Sequence, residues 1–294
     1  MEKELDLPEG CEKWKPESLP KNFTVIITAK RRSGKTTMLH KIIYPLRKRF
    51  DEVYLFSLTA DLMDKSEFSY IPEENKILGV DEEKLQEIFD KQKEILQRNN
   101  KIEDKRYHTK NNILILLDDV ISDNKTRSSK ILGRVFSAGR HSNLSLVLLT
   151  QDFAGKFGVS TLQRRNADCV ISFFQHNSDD RDSMAMQYAS VLDKKQGADY
   201  LKRVTNNAFT TAVIDATNNT ARSYQEYIYW YKVDTLKIPA FMIQSKSKTL
   251  KKPKKVKKEK KKVSRLNIRT ESDVPESLTF GIRLKETTLP IYDI

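Results

Sequence analysis

An apolar, β-branched run that breaks into a basic turn and then into Gly-Lys-Thr at the head of a helical pattern leaves a chain few folds to choose from. Residues 24–39, TVIITAKRRSGKTTML, have this layout. The chemistry of a phosphate-binding loop asks for the same residue types. Consecutive backbone N–H groups wrap a β-phosphate, a lysine reaches the β- and γ-phosphates, and a hydroxyl holds Mg2+. Gly34, Lys35 and Thr36 fill those positions, with Ala29, Lys30, Arg31, Arg32, Ser33 and Thr37 completing the loop on either side. The following helix receives the anion at its N-terminus, where unpaired N–H groups and the helix dipole favour negative charge. The full pattern G-x-x-x-x-G-K-[ST] begins with glycine, and Ala29 stands there instead. Alanine is the least demanding replacement for a glycine that makes a tight exit from a strand, provided φ is not positive. A chance Gly-Lys-Thr in a lysine-rich chain is the competing reading; a strand before and a helix after weigh against it.

A second signal sits at residues 112–119, NILILLDD. A continuous apolar run of this kind suits a parallel strand covered on both faces, and this one ends in Asp118 and Asp119. A strand tip beside a phosphate loop is where a Mg2+-associated aspartate belongs. A second carboxylate next to it can orient and deprotonate an attacking water. Alone, Asp-Asp would be read as the start of a turn; after the loop and five consecutive Ile/Leu residues, the catalytic reading is preferred.

Further buried runs lie at residues 23–28, 52–57, 144–150 and 169–174, and amphipathic spacing predicts helices over 81–98 and 128–138. Helical character is also expected over 178–188 and 197–204. Five buried runs separated by helices or long loops predict a parallel α/β sheet. Residues 209–215 and 224–233 read as a hairpin-like pair added at its edge. Residues 1–21 form an N-terminal arm that Trp14 can anchor, 22–240 the core domain, 241–270 a basic linker and 271–294 a C-terminal tail.

Charge is unevenly placed. The net charge is +13, and residues 246–265 hold twelve Lys/Arg against Glu259 alone, a local +11. The overlapping segment 245–262 cannot bury enough apolar area to fold and is expected to be disordered. The basic stretch fits a nuclear-import signal or a non-specific DNA tether. Beyond it, Leu278-Thr-Phe280-Gly-Ile282-Arg-Leu284 alternates with the period of a half-buried strand. The basic residues of 101–110 suit phosphate contact or a solvated loop. Two cysteines, Cys11 and Cys169, imply no disulfide framework, and four scattered histidines give no zinc-like spacing. No run approaches membrane-spanning length and the N-terminus lacks an apolar signal core, so a reducing, intracellular setting is expected.

Four segments recur together: AKRRSGKT (29–36), LILLDDV (114–120), GRHSNLSLVLLTQ (139–151) and LQRRNAD (162–168). The set resembles the poxvirus-type genome-packaging ATPases of large double-stranded DNA viruses, within the FtsK–HerA superfamily of P-loop NTPases. The likeness spans residues 23–233, and its most specific part is the Arg-His segment running into a strand that ends in Thr-Gln. The resemblance implies a three-layer P-loop NTPase fold with a mainly parallel sheet of order 5-1-4-3-2. It implies ATP and Mg2+, with Lys35 and Thr36 binding phosphate and metal, Asp118 supporting the metal and Asp119 as catalytic carboxylate. Gln151, at the tip of the strand between the two Walker strands, would sense the γ-phosphate or position the water. The partners implied are double-stranded DNA and further copies of the chain in a ring, with an arginine completing the neighbour's site. Arg140 is the first choice, ahead of Arg164 and Arg165; Arg140 also suits a cation at a helix C-terminus. The alternating strand of the tail either returns to the sheet of its own domain or adds to a sheet edge of another chain, a neighbouring subunit or a capsid protein; a location in an infected cell, in a cytoplasmic virus factory, the nucleus or the virion, completes the expectation.

Other engines fit less well. The nearest match to a guanine-reading Asn-Lys-x-Asp is Asn124-Lys125-Thr126-Arg127, which lacks the aspartate. A thymidine-kinase-like enzyme needs a zinc-binding cysteine set. A HerA-type helicase or translocase shares the same engine, and an ATP-gated nucleic-acid adaptor with little turnover is the reading from a different class.

Overall fold

The computed structural model describes residues 5–62, 67–122, 124–156, 158–188, 193–218, 220–234 and 238–243. The chain divides into two compact units, Met1–Ser247 and Lys248–Ile294, and every described residue belongs to the first. The lysine-rich stretch and the alternating segment at 278–284 therefore lie outside the described residues.

The elements follow the hydrophobic pattern. In chain order they are β1 (Thr24–Thr28), α1 (Lys35–Leu46), β2 (Glu52–Ser57), β3 (Lys76–Leu78), α2 (Glu82–Asn100), β4 (Ile113–Asp118), α3 (Asn124–Arg127), α4 (Lys130–Ala138), β5 (Leu144–Thr150), α5 (Thr161–Arg165), β6 (Cys169–Ser172), α6 (Ser178–Tyr188), α7 (Lys194–Val204), β7 (Thr210–Asp215) and β8 (Ile228–Lys232). They build one sheet of order β3-β2-β4-β5-β1-β6-β7-β8. All pairings from β3 to β6 are parallel, and β7 and β8 add antiparallel. The five runs read from the sequence thus take the order expected of them, with the hairpin-like pair beside the fifth. A three-residue strand, β3, closes the far edge and was not anticipated.

Residue parity explains why these strands are apolar on both faces. Val25 and Ile27 of β1 join Leu114, Leu116, Val147 and Leu149 in one cluster with Met38, Leu39, Ile42 and Ile43 of α1. Ile26 joins Ile115, Leu117, Leu146 and Leu148 in the other, against Leu85, Ile88 and Phe89 of α2 and Leu132, Val135 and Phe136 of α4. Each fully buried side chain of this size contributes about 1.5–3 kcal/mol relative to exposure. The sheet is therefore the middle of three layers, fixed from both sides.

Local chemistry sets the helix ends. Asp81 and Ser129 cap α2 and α4 by accepting from the N–H of Lys84 and Leu132. Ser160 and Gln163 form a capping box that starts α5. Phe209 has φ 56°, outside the extended region, so β7 begins at Thr210 rather than one residue earlier.

Two extensions bind to this body. In the arm, the Trp14 N–H donates to the Trp230 carbonyl at 2.8 Å and Trp230 N–H to Glu12 at 2.9 Å. Trp14 is 5% exposed and meets Tyr231 edge-on at 6.0 Å. Residues 12–14 thereby cover the outer edge of β8, a row of unpaired donors and acceptors that an exposed strand would offer to other chains. After β8, Phe241 stacks on Tyr70 with ring centroids 4.8 Å apart, and Ile243 N–H donates to the Tyr70 carbonyl at 3.0 Å. Among the described residues, no helix is long and apolar enough to cross a membrane.

Candidate functional site

Three strand tips converge at the C-terminal edge of the sheet. β5 lies between β4 and β1, so the residues that follow these strands, Asp119, Gln151 and the loop after Thr28, are neighbours. The loop leaves β1 at Ala29, which is fully buried and donates its N–H to the Thr150 carbonyl at 3.1 Å. Ala29 is not among the residues of positive φ. The condition under which alanine can stand for glycine there is therefore met. Positive φ occurs instead at Arg32 (59°) and Gly34 (100°), the alternation that turns successive N–H groups toward one concavity. A Cβ on Gly34 would face the Phe173 ring at 3.6 Å in a backbone conformation that side chains rarely adopt. α1 starts at the next residue, which aims its unpaired N–H groups at the loop.

The side chains close around this concavity. Lys35 Nζ lies 3.4 Å from Asp119 Oδ1, the lysine side chain 12% and the aspartate 41% exposed. Gln151 Nε2 donates to Asp119 Oδ2 at 2.9 Å. Asp119 adopts φ 51° and donates its N–H to the Leu149 carbonyl at 3.1 Å. Aspartate is one of the few residue types that tolerate this left-handed conformation. The turn points the Asp119 carboxylate back over the loop rather than along the sheet. Asp118 ends β4 and accepts from Ser57 Oγ at 3.3 Å. Burial, then the charge of Asp119, push its carboxyl up to about 6; Lys35 and the Ser57 hydrogen bond pull it down, and Glu67 adds to the rise.

Thr36, the hydroxyl of the motif, donates to Glu67 Oε1 at 3.3 Å. Lys30 pairs with Asp152 at 3.1 Å across the loop's outer side, with both side chains more than two-fifths exposed. Ser33 Oγ donates to the Lys30 carbonyl, tightening the turn. Arg31 is exposed, and Thr37 continues α1. Glu67, Ser57 and Asp152 had no signal in the sequence, because each belongs to a loop or strand end that no motif covers.

Arg140 takes a different place. It lies in the turn before β5, where its carbonyl accepts from Asn22 Nδ2 at 2.9 Å, just ahead of β1. The length of β5, on the order of 20 Å at the usual strand rise, separates it from Gln151 and Lys35 of its own chain. Arg164 is half-buried, its guanidinium 5.3 Å from the centre of the Phe153 ring, whereas Arg165 is exposed. Both lie in α5, ahead of β6, and the Arg164 guanidinium also meets the Phe153 carbonyl at 3.5 Å.

The residues present fit a divalent cation. The Thr36 hydroxyl and the Asp118 carboxylate are the hard oxygen donors that Mg2+ takes, usually one or two from protein with the rest from phosphate and water. The two aspartates and Glu67 face Lys35 as the cation acting on Asp118, a negative excess that a divalent ion would balance. Among the described residues, no group of three or more His, Cys, Asp or Glu could enclose a metal by itself.

Fold and site together define a phosphate-loop nucleotide-binding protein of the α/β class, with an acidic pair on a neighbouring strand tip. More particularly, the chain belongs to the Poxvirus A32 protein family, whose profile matches residues 12–215. Uncharacterized protein 075L of Invertebrate iridescent virus 6 is 30% identical over 121 residues, covering 41% of this chain and 45% of that protein. Uncharacterized protein 015R of Frog virus 3 (isolate Goorha) is 28% identical over 120 residues, covering 41% and 36%. The matched stretch spans less than half the length of either relative. Among solved structures, the genome packaging NTPase B204 from Sulfolobus turreted icosahedral virus 2, in complex with AMPPCP, aligns over 73% of this chain and 99% of its own at 15% identity and a TM-score of 0.48. The pCW3 conjugation coupling protein TcpA, bound to ATPgS, aligns over 81% and 72% at 11% identity and a TM-score of 0.49.

Proposed function

We propose that this protein is an ATPase that drives double-stranded DNA into a viral capsid, working as a homo-oligomeric ring. The observation that carries this reading is the convergence of Lys35, Asp119 and Gln151 on three adjacent strand tips, in a chain of the Poxvirus A32 protein family. Lys35 neutralises β/γ-phosphate charge, and the loop N–H groups from Lys30 to Thr37 cradle the phosphates. Asp119 accepts the proton of the attacking water, and Gln151 orients that water from the other side of the carboxylate. Thr36 and Asp118 would hold Mg2+, which would supply positive charge against the phosphate oxygens.

Arg140 sits too far from Lys35 of its own chain to act there, which supports a role toward a neighbouring subunit; Arg164 and Arg165 are the alternates. Loss of γ-phosphate contacts would release one subunit arrangement for the next. DNA is gripped mainly through its phosphates, so binding is insensitive to sequence and falls steeply with salt. The setting is an infected cell, in a virus factory or the nucleus, with the C-terminal tail docking on capsid protein.

The test is ATP turnover with and without duplex DNA, measured together with oligomeric state. DNA-stimulated hydrolysis by an oligomer is expected. Nucleotide binding without turnover would overturn the motor in favour of an ATP-gated adaptor, and duplex unwinding would favour a HerA-type helicase.

A further inference from the structure

Glu67 lies in the irregular segment between β2 and β3, where no motif reaches, yet its carboxylate meets the one hydroxyl that the phosphate loop assigns to a metal. The Thr36 Oγ1 to Glu67 Oε1 distance is 3.3 Å. An ionised carboxylate only accepts, so the threonine proton must point at Glu67. Both lone pairs of Oγ1 are then turned away from Glu67 and remain available to a cation.

The segment holding Glu67 is built to keep it there. His40, one helical turn beyond Thr36 on α1, lies against the Glu67 backbone. The His40 ring stands edge-on to Phe68 at 6.0 Å and to Tyr70 at 5.3 Å. Phe68, Tyr70 and Ile71 are each 2% exposed. Thr36 and His40 thus fasten one face of α1 to the residues carrying the carboxylate. The negative charge of Glu67 also acts on Asp118.

We propose that Glu67 is a positioning residue of the divalent-cation subsite: it fixes the Thr36 hydroxyl rotor so that a lone pair faces the metal, and adds negative charge outside the coordination shell. This rests on the Mg2+-nucleotide reading of the loop. Partners that orient a metal ligand in this way typically change metal affinity 10–100-fold when removed.

The experiment compares full-length wild type, Glu67→Gln, Glu67→Ala and Asp118→Asn. A fluorescent ATP analogue is titrated at increasing Mn2+ or Mg2+, and again with the metal chelated. Glutamine can still accept the hydroxyl proton but carries no charge, so apparent metal affinity should fall in the order wild type, Glu67→Gln, Glu67→Ala, with the alanine variant about 10–100-fold weaker. Metal-free nucleotide binding should not change. A Glu67→Ala affinity within twofold of wild type, while Asp118→Asn loses metal dependence, would overturn the inference and leave the nucleotide reading intact. Parallel losses of metal-free binding and thermal midpoint in Glu67→Ala would also overturn it, as a structural role. Nucleotide binding by wild type that ignores the metal would overturn both.

Discussion

Replacing Asp118 with asparagine should stabilise the protein in the absence of nucleotide while removing its metal response. Burial and Asp119 hold the Asp118 carboxyl at about 6 in the folded chain, against 3.8 for an unperturbed carboxyl. The folded state therefore binds this proton more tightly than the unfolded state does. Stability is fully kept below the unfolded value, falls as pH rises from about 4 to 6, and stays lower above that. A difference of roughly two pK units corresponds to about 3 kcal/mol at neutral pH. Asparagine resembles the protonated carboxyl and can still accept from Ser57, so the substitution should recover up to that amount. For a unit of this size, each kcal/mol moves the thermal midpoint by about 2–4 °C, which makes the gain about 6–12 °C at pH 7.5. It should shrink to about half at pH 5 and to about a fifth at pH 4. Thermal unfolding followed by circular dichroism at these three pH values, with chelator present, reads the effect directly. A midpoint shift of the same size at every pH, or a loss of stability at pH 7.5, would refute the argument that an uncompensated carboxylate is the cause.

Lys35→Ala should abolish ATP turnover while far-UV circular dichroism stays native, and near-normal turnover by the folded variant would remove the phosphate-loop assignment. Asp119→Asn and Gln151→Ala should each lower kcat, on the order of 10²–10⁴-fold for the base, with nucleotide affinity retained; single-turnover kinetics beside equilibrium binding separates the two. Mixing Arg140→Ala with Lys35→Ala subunits should restore part of the ATPase activity, because some interfaces then join an intact loop to an intact arginine; no recovery in demonstrably mixed oligomers counts against a role in trans. Trp14→Ala should cost about 3–5 kcal/mol, measured as a lower urea midpoint, and should raise self-association by uncovering the β8 edge.

Legibility in the sequence followed physical strength. Runs such as Ile113–Asp118 announce themselves because a strand covered on both faces has to be apolar at every position. Their order was legible only through the resemblance of four motifs, since periodicity carries no pairing information. β3 was invisible: Lys76, Ile77 and Leu78 are neither a run nor an alternation, and the strand exists because β2 offers an open edge. The aromatic-rich pattern predicts strand from residue 224, but Tyr224–Glu226 forms a 3-10 turn because Tyr224 buries against Tyr200 and Tyr227. At the site, Lys35, Asp118 and Asp119 stood at motif positions. Glu67 did not, for it reaches Thr36 only through the fastening of its neighbours Phe68 and Tyr70 to α1.

The stretch after β8 fixes where a load on the C-terminus is borne. Ile243, the last described residue, is held by the Tyr70 backbone, and Phe241 wedges between Tyr70 and Tyr44. Tyr44 belongs to α1, the helix that begins at Lys35, and Tyr70 follows Glu67 by three residues. A pull on the chain beyond residue 243 is thus delivered to α1 and the Glu67–Ile71 segment before it passes along the backbone to β8. Anything tethered to that end therefore draws on the helix behind the phosphate loop, so traction and the nucleotide site share one mechanical anchor.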